Sequence, residues 1–383
     1  MPGARVMSFV ETPGQLELQE AAREVTTKVI APLAAALAPQ QKLSAADMRT
    51  IAKALKPLGY IGSTIPRELG GAGLSYTDYG LLLEALAAGP AILGEIVPPR
   101  TINYLGSDEQ RRRWLPQLFS GDWVATAAIT EPQAGSDMRA FKTTAVLDGD
   151  AYVVNGTKRW IKLGGVADLI TLMVLDAKGG LSRLVVERAV SPWQSRELEA
   201  VGMKNISFAE MTFDNVRVPK ENILGTAGEG AEQFHRGIES SRAFVGIQAV
   251  GIASHALDIA RAYAKERIAM GRPIARFQAV QTALADAATQ LQAARLLCLN
   301  ALSMLDRGER APREVSMAKV YAVETSIRVC QVAMESMGAW GLSVDAGVER
   351  CWRDCMMLTA IDGTATMQRL IIGRETLGVP AFV

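Results

Sequence analysis

Residues 130–137 read Thr-Glu-Pro-Gln-Ala-Gly-Ser-Asp and mark the largest change of character in the chain. Before them, Leu, Ala and charged residues recur at helical spacing, and after them short β-type runs alternate with Gly, Asp and Asn turns. Pro132 fixes one φ angle, and Gly135 allows a tight bend and close approach of a ligand. Thr130 and Ser136 add hydroxyl groups. Taken alone, this stretch favours a polar turn between two domains.

Composition places the chain among globular proteins. Its 383 residues are 49% hydrophobic, enough for two or three packed units with a large core. Lys and Arg total 41 against 40 Asp and Glu, so the net charge of +1 gives no support for binding to nucleic acid or a membrane surface. No apolar run reaches the roughly 18–20 residues of a membrane helix. Because residues 1–6 lack signal-peptide features, we expect a cytoplasmic protein.

Cysteine and histidine usage narrows the possible chemistry. The spacing of Cys298, Cys330, Cys351 and Cys355 fits neither a disulfide framework nor a zinc module and is typical of packed thiols. With 2 histidines, a His-based triad or a multi-His metal site is disfavoured, and we expect no metal. A carboxylate or a bound cofactor is therefore expected to carry the chemistry.

Periodicity divides the chain into three regions. Residues 1–122 form an N-terminal helical domain, with helices near 14–38, 44–58, 76–89 and 107–118 and with Ser44, Ser75 and Ser107 as caps. Pro32 is expected to bend or break the first helix. The glycine-rich loop 65–75 lacks the Gly-Lys-Ser/Thr of a phosphate-binding loop and is better explained as a structural loop.

The middle and last regions differ in pattern. Residues 123–226 predict a compact antiparallel sheet, in which Asp148-Gly149-Asp150 closes a hairpin and Asn155-Gly156 forms a second tight turn. Residues 227–383 predict long helices near 228–270, 284–305, 313–337, 345–358 and 364–377, as in an antiparallel four-helix bundle. The fold class is mainly α with a small central β domain.

Five segments in this order resemble the acyl-CoA dehydrogenase family over nearly the whole chain. They are Ile65–Ser75 (IPRELGGAGLS), Ala127–Asp137 (AAITEPQAGSD), Asn155–Trp160 (NGTKRW), Arg267–Gln281 (RIAMGRPIARFQAVQ) and Asp362–Arg374 (DGTATMQRLIIGR). The resemblance implies an N-terminal helical domain, a central β-barrel or sheet domain and a C-terminal four-helix bundle. It also implies FAD bound between the last two, in a homotetramer or dimer.

The resemblance implies FAD-dependent α,β-dehydrogenation of an acyl-CoA thioester to the 2,3-enoyl product. A carboxylate takes the α-proton, flavin N5 takes the β-hydride, and an electron-transfer flavoprotein or a similar acceptor reoxidises the flavin. Asp362, in Ile361-Asp362-Gly363-Thr364, matches the base position, where most members have Glu. Asp is one methylene shorter, so its oxygen lies roughly 1–1.5 Å further back. The alternative is an Asp-Gly turn that caps the following helix.

Some family members place the base on the first bundle helix instead. Ser241 matches that position and cannot serve as a base. Glu239 is the nearest carboxylate, but two residues along a helix it points to another face. It is expected to line the substrate mouth or to pair with Arg242. The residues implied to contact substrate are Ser136, Glu239, Arg242 and Gly363, together with the backbone N–H of Asp362.

The residues implied to contact FAD match the family position by position. Ile129, Thr130, Ser136 and Trp160 match contacts to the flavin ring and pyrophosphate. Arg267, Phe277 and Gln278 match contacts to the FAD of a neighbouring subunit. The remaining matches are Glu335, Gly338, Ala339, Thr364 and Thr366. Glu335 and Ala339 depart from the usual Gln and Gly.

Lys162 is a further departure, because the family usually has Ser or Thr there. Either its charge lies close to the flavin ring and favours the reduced, anionic form, or it points to solvent. These departures leave other functions open. They are a dehydrogenase acting on acyl-carrier-protein thioesters, a flavin monooxygenase on the same fold, and a non-catalytic FAD-binding partner subunit of a hetero-oligomer.

Overall fold

The protein has a helical N-terminal domain, a central β-sheet domain and a C-terminal helical domain. This computed structural model describes residues 10–38 and 40–379, without the side chains of residues 231–237. Residues 1–6, on which the expectation of no signal peptide rests, lie outside the described residues. The predicted fold class is confirmed.

Within its described part, residues 10–38 and 40–122, the N-terminal domain contains six α-helices. They are α1 (Pro13–Val25), α2 (Ala31–Ala35), α3 (Ala45–Leu55), α4 (Tyr76–Ala87), α5 (Val97–Leu105) and α6 (Asp108–Phe119). Ser44, Ser75 and Ser107 cap α3, α4 and α6 through their hydroxyl groups, as predicted. The first predicted helix does not break sharply, because a π-helical turn over Thr26–Ile30 precedes Pro32, which lies in the first turn of α2.

Helix α5 was not predicted, and its sequence explains why. Pro98 and Pro99 punctuate it, but both lie in its first turn, where a missing backbone N–H removes no intrahelical hydrogen bond. Helix α4, which precedes α5, lies in close contact with the C-terminal domain. A Cβ at Gly251 would lie 2.1 Å from the carbonyl oxygen of Glu84, so only glycine permits this contact. After α4, the carbonyl of Gly89 accepts a hydrogen bond from Arg350 in the C-terminal domain at 2.7 Å.

The central domain contains one eight-stranded sheet. Its strands are β1 (Ala125–Ala128), β2 (Thr144–Asp148), β3 (Ala151–Lys162), β4 (Leu169–Leu175), β5 (Leu181–Glu187), β6 (Gln194–Glu197), β7 (Phe208–Pro219) and β8 (Ile223–Leu224). They run in the order β6-β7-β3-β2-β4-β5-β8, with β1 beside β4. The β2–β3 hairpin is confirmed. The expectation of a purely antiparallel sheet is wrong, because β1 and β2 pair with β4 in parallel.

The expected second turn at Asn155-Gly156 is also wrong. Both residues lie inside β3, and the pairing with β7 is irregular between Val154 and Gly156. Gly156 has a φ of 144°, and a Cβ there would lie 2.5 Å from the Oγ1 of Thr143. Glycine is therefore required for close packing within a bulged strand, which gives the same local signal as a turn.

Five helices form the C-terminal domain: α7 (Gly230–Glu266), α8 (Gln278–Asp306), α9 (Pro312–Ser336), α10 (Val348–Leu358) and α11 (Ala365–Leu377). Between α7 and α8 the chain forms a small hairpin of β9 (Ile268–Ala269) and β10 (Arg272–Pro273). Helix α9 packs against the other four helices. Within the described residues, Ile238–Glu266 is long and apolar enough to cross a membrane, but 78% of its most apolar stretch is buried, so the protein core accounts for its composition.

Candidate active site

A cavity of about 870 Å³ lies where the three domains meet. Its walls come from the segment before α5 and α5 itself, the ends of β1 and β3, one face of α7, and the end of α10 with the residues that follow it up to Asp362. This volume is in the range of sites for cofactors and drug-sized ligands. The cavity brings together five of the predicted site residues from separate parts of the chain: Ile129, Thr130, Trp160, Lys162 and Asp362.

Residues 127–137, here named the signature stretch, are held by a buried ion pair that was not predicted. The Nζ of Lys158 donates to Glu131 Oε1 and to the carbonyl of Ile129, each at 2.8 Å, and both side chains are essentially fully buried. Glu131 also accepts from the backbone N–H groups of Lys142 and Thr143, at 2.7 and 3.1 Å. Although burial opposes ionisation, Lys158 and these donors hold the pKa of Glu131 below its ordinary value. The pair thus fixes Ile129 and Thr130 at the cavity wall.

The signature could have revealed this pair, because Glu131 and Lys158 both lie within segments that carry the resemblance. The hydroxyl of Ser136, in contrast, is not brought into the cavity in the part of the chain that is described: Ser136 is exposed on the outer side of the turn. Its predicted contacts to FAD and substrate therefore stay predictions.

Trp160 lines the cavity because of a strand irregularity. The pairing of β3 with β7 shifts between Lys158 and Ile161, and Trp160 has a φ of 61° within that shift. A bulge of this kind redirects a side chain and is common beside active sites. The indole is 48% exposed, with the guanidinium of Arg159 5.9 Å from its centroid. A half-exposed aromatic face at a cavity wall is suited to contact a flat ring.

Lys162 points into the cavity wall, which excludes the solvent-facing alternative. Its ammonium donates to the carbonyl of Leu93, on the segment that leads to α5. Burial lowers the pKa of Lys162 to about 8, while the charges of Asp362 and Glu95 oppose that shift. Lys162 therefore places a titratable cation beside the other predicted site residues.

Asp362 lies on the cavity wall in a strained backbone conformation. Its φ is 55°, in the left-handed region, and Gly363 follows with a φ of 97°. The capping alternative is wrong, because the hydroxyl of Thr364 caps α11 instead. Burial raises the pKa of the Asp362 carboxyl, and the charge of Glu95 adds to this, whereas Lys319, Arg242 and Arg100 favour the ionised form. A carboxylate with a raised pKa is a stronger base.

Three side chains from three helices hold the carbonyl groups around Asp362. Lys319 of α9 donates to the carbonyls of Ile361 and Gly363. Gln368 of α11 donates to those of Asp362 and Gly363, both at 3.1 Å, and Arg242 of α7 lies 3.4 Å from the carbonyl of Asp362. These bonds hold Asp362 in its unusual conformation. The roles of Lys319 and Gln368 were not predicted, since no local signal connects them to residue 362.

The structure places Glu239 away from the cavity, whereas its alternative interaction with Arg242 stays open, since the charge of Glu239 favours the ionised form of Arg242. Its carboxylate accepts from the backbone N–H of Ala311 at 2.8 Å, at the start of α9, where a negative charge is favourable. Among the described residues that line the cavity, Glu239 is absent. The helix periodicity explains this, because Ser241 lines the cavity and a residue two positions earlier faces elsewhere.

The remaining predicted cofactor residues lie outside the cavity, as far as the described residues show. Thr364 and Thr366 are exposed at the start of α11. The others lie at the α7–α8 turn and at the end of α9; they are Arg267, Phe277, Gln278, Glu335, Gly338 and Ala339. Arg272 covers the ring of Phe277 at 4.3 Å. Contacts of these residues to FAD across a subunit boundary stay a prediction.

The sequence analysis also missed a polar cluster on the cavity wall. Arg100 of α5 forms an ion pair with Glu95 at 2.9 Å and donates to the hydroxyls of Ser240 and Ser241, at 2.8 and 2.9 Å. Ser241 in turn donates to Glu95 Oε2 at 2.7 Å. The serines lie about 140 residues further along the chain, so only the tertiary structure shows this cluster.

Comparison with known proteins agrees with this architecture. Three family models match in order: "Acyl-CoA dehydrogenase, N-terminal domain" over residues 12–122, "middle domain" over 126–216 and "C-terminal domain" over 228–377. The chain is 34% identical to an acyl-CoA dehydrogenase of Bacillus subtilis (strain 168), covering 96% of this chain and 99% of the relative. It is 32% identical to an acryloyl-CoA reductase (NADH) of Anaerotignum propionicum, with 97% and 96% covered.

Among solved structures, a glutaryl-coenzyme A dehydrogenase in complex with glutaryl-CoA superposes with a TM-score of 0.90 at 32% identity, covering 97% of each chain. The matches in sequence and in structure both span nearly the whole chain, and the three family models follow the order of the domains. The chain therefore belongs to the acyl-CoA dehydrogenase family of FAD-dependent oxidoreductases.

Proposed function

We propose that this protein removes two hydrogens from the Cα–Cβ bond of an acyl-CoA thioester and that Asp362 takes the α-proton. The observation that carries the proposal is a cavity-facing carboxyl with a raised pKa, held by the side chains of three helices. The α-proton of a thioester is only weakly acidic, so its base must be close, well oriented and more basic than an exposed aspartate. Asp362 meets the last requirement, and the hydrogen bonds to the carbonyls of residues 361–363 supply a fixed backbone for it.

The residues around the cavity fit FAD. Trp160 presents an aromatic face, Ile129 and Thr130 form the adjoining wall, and the ammonium of Lys162 lies beside Leu93 at the same wall. A flavin ring is flat and apolar on its faces and carries polar atoms along one edge, which suits this combination of groups. When bound, FAD supplies the acceptor for the β-hydrogen as hydride.

The chain's own residues then bind, orient and deprotonate. The largely apolar wall, which includes Ile92, Phe244 and Val245, excludes water and accepts an acyl chain. Lys319, Arg242 and Gln368 hold the carbonyls of residues 361–363. The backbone N–H of Asp362 remains the candidate donor to the thioester carbonyl oxygen. As the proton transfers, Asp362 becomes neutral, a form that burial favours.

Assembly and electron transfer extend the proposal. The hairpin at the α7–α8 turn exposes Met270 and Ile268, with 92% and 55% of their surface accessible. Exposed apolar residues beside Arg267 and Phe277 support a homo-oligomer in which this turn reaches the cofactor of a neighbouring subunit. We expect an electron-transfer flavoprotein or a similar acceptor to take the electrons.

The test is anaerobic mixing of the FAD-loaded protein with a panel of saturated acyl-CoA thioesters, followed by the visible flavin absorption. We expect bleaching by at least one thioester, and a reduction rate about 10²–10⁴-fold lower in Asp362→Asn. Asp258→Asn, an exposed aspartate on α7 paired with Arg261, is the matched control and should not change the rate. Undiminished bleaching by Asp362→Asn would exclude it as the base, and no bleaching by any thioester would contradict the proposed reaction.

A further inference from the structure

The Glu95–Arg100 cluster forms a second polar site on the wall of the same cavity. Arg100 binds both oxygens of Glu95, at 2.9 and 3.1 Å, and the hydroxyl of Ser241 donates to one of them at 2.7 Å. Only 7% of the Glu95 side chain and 19% of the Arg100 side chain are exposed. All three residues line the cavity. The cluster therefore presents fixed polar groups to a ligand in the cavity, on the wall that also carries Asp362.

An unsubstituted acyl chain gives no reason for such a cluster. Taking two charges out of water is costly, and apolar residues of similar volume often serve the fold as well or better. The neighbours on the same wall, Ile92, Ile96 and Val245, are apolar. If the pair served only to tether the segment before α5 to α7, it would not need to line the cavity. A polar ligand group compensates the cost of burying it.

The hydrogen-bonding capacity of the cluster identifies what that group must offer. Arg100 donates to Glu95, Ser240 and Ser241. Glu95 accepts three hydrogen bonds, of which Oε1 receives one, from the Nε of Arg100. A carboxylate has about four acceptor sites. Oε1 of Glu95 can therefore accept a further hydrogen bond, from a donor group on the ligand.

The surrounding charges select among donors. Arg100, Arg183 and Lys162 contribute cations to the cavity wall, and Glu95, Glu199 and Asp362 contribute carboxyl groups. A ligand ammonium bound to Glu95 would lie next to the guanidinium of Arg100, which already neutralises that carboxylate, and a ligand carboxylate would lie against Glu95 without a proton to donate. A neutral hydroxyl meets neither penalty and supplies the missing donor.

We propose that the Glu95–Arg100–Ser241 cluster makes this protein selective for acyl thioesters that carry a neutral hydroxyl group on the acyl chain. The inference rests on the proposed function, because it assigns the substrate class of that same site. In this role Glu95 and Arg100 determine specificity, whereas Asp362 remains the base.

The experiment compares matched CoA thioesters with acyl chains of roughly four to eight carbons. At each length the chain end is unsubstituted, hydroxylated, carboxylated or aminated. Flavin reduction of the FAD-loaded protein is followed anaerobically, and binding of the corresponding 2-enoyl thioesters is measured by calorimetry. We expect the hydroxyacyl thioester of the best length to exceed its unsubstituted partner by roughly ten-fold or more in both measurements.

A double variant separates recognition from folding. Glu95→Leu with Arg100→Met removes both charges together and leaves no unpaired charge in the wall. We expect this variant to keep its FAD and to prefer the unsubstituted thioester. The control variant, Glu349→Leu with Arg353→Met, removes a partly buried ion pair of α10. The two side chains are 14% and 25% exposed, and their loss should leave the preference for the hydroxyacyl thioester unchanged.

Each outcome decides the matter. A preference of the unmodified protein for unsubstituted or charged chains at every length overturns the inference and leaves the proposed function standing. A hydroxyl preference that survives in the Glu95→Leu, Arg100→Met variant also overturns it. If that variant does not fold, Glu95→Gln serves instead, and an unchanged hydroxyl preference there counts against the cluster. Bleaching by no thioester overturns both proposals.

Discussion

Replacing Lys158 by Met should destabilise the protein strongly and in a pH-dependent way. The side chains of Lys158 and Glu131 are 0% and 1% exposed, so the substitution leaves a carboxylate in the interior without its cation. Breaking a buried pair by removing one partner costs about 3–5 kcal/mol. The backbone donors of Lys142 and Thr143 remain on Glu131, which places that part of the loss near 3 kcal/mol. The carbonyl of Ile129 also loses its donor, which adds about 1 kcal/mol.

Protonation of Glu131 limits this loss. A carboxyl with an ordinary pKa near 4.5 must be protonated at pH 7, which costs roughly 3.4 kcal/mol because each unit between pH and pKa corresponds to about 1.36 kcal/mol. At pH 5 the same step costs only about 0.7 kcal/mol. In the variant the folded-state pKa of Glu131 is raised, so its destabilising effect is largest at neutral pH and shrinks as the pH falls. A loss of about 4 kcal/mol at pH 7 should therefore fall to about 2 kcal/mol at pH 5.

Urea unfolding followed by circular dichroism, at both pH values and at one fixed FAD concentration, measures the effect. The matched control is Lys28→Met, which removes an exposed ion pair with Glu24 and should leave the free energy of unfolding nearly unchanged. A loss at pH 7 below about 1 kcal/mol, or one that does not depend on pH, would refute the argument that this ion pair holds the signature stretch.

Three further predictions concern the base and the sheet. Burial raises the pKa of Asp362, so the rate of flavin reduction should begin to fall, as the pH is lowered, at a higher pH than an exposed aspartate would give. Stopped-flow measurements across pH test this, and a rate that stays constant down to about pH 4 would contradict it. Lys319→Met removes the cation that most favours ionised Asp362, so the fall in rate at low pH should begin at a still higher pH. Lys319→Arg keeps the positive charge and should leave the pH dependence close to that of the unmodified protein. Gly156→Ala should cost roughly 2–4 kcal/mol in thermal unfolding because its Cβ would meet Thr143, whereas Gly149→Ala, in an open turn with a φ of 65°, should cost about 1 kcal/mol.

Local signals predicted most of the helices and failed where contacts between distant residues decide. Ser44 and Ser107 could be identified as caps because the cap and its partner lie three residues apart. Asn155-Gly156 was misread because a glycine forced by the backbone of Thr143 has the same local pattern as one that forms a turn. Helix α5 was missed because two prolines in a first turn resemble a loop.

The site was predictable to the extent that it lies within motifs. Asp362, Trp160 and Lys162 could be placed from short segments, and the structure brings all three to one cavity. The partners that tune them could not, since hydrogen bonds from Lys319 to residues 361 and 363 span more than 40 positions. The proposed recognition of the acyl group uses residues about 140 positions apart in the sequence, so local sequence patterns do not predict it.

The way in which three helices hold Asp362 also bears on how activity is acquired and lost. Arg242, Lys319 and Gln368 are contributed by α7, α9 and α11, so the loop reaches its working conformation only after the whole C-terminal domain has assembled. A newly made chain should stay inert until its last helix docks, and a single proteolytic cut before α11 should silence the protein. Catalytic competence thereby reports on the completeness of folding.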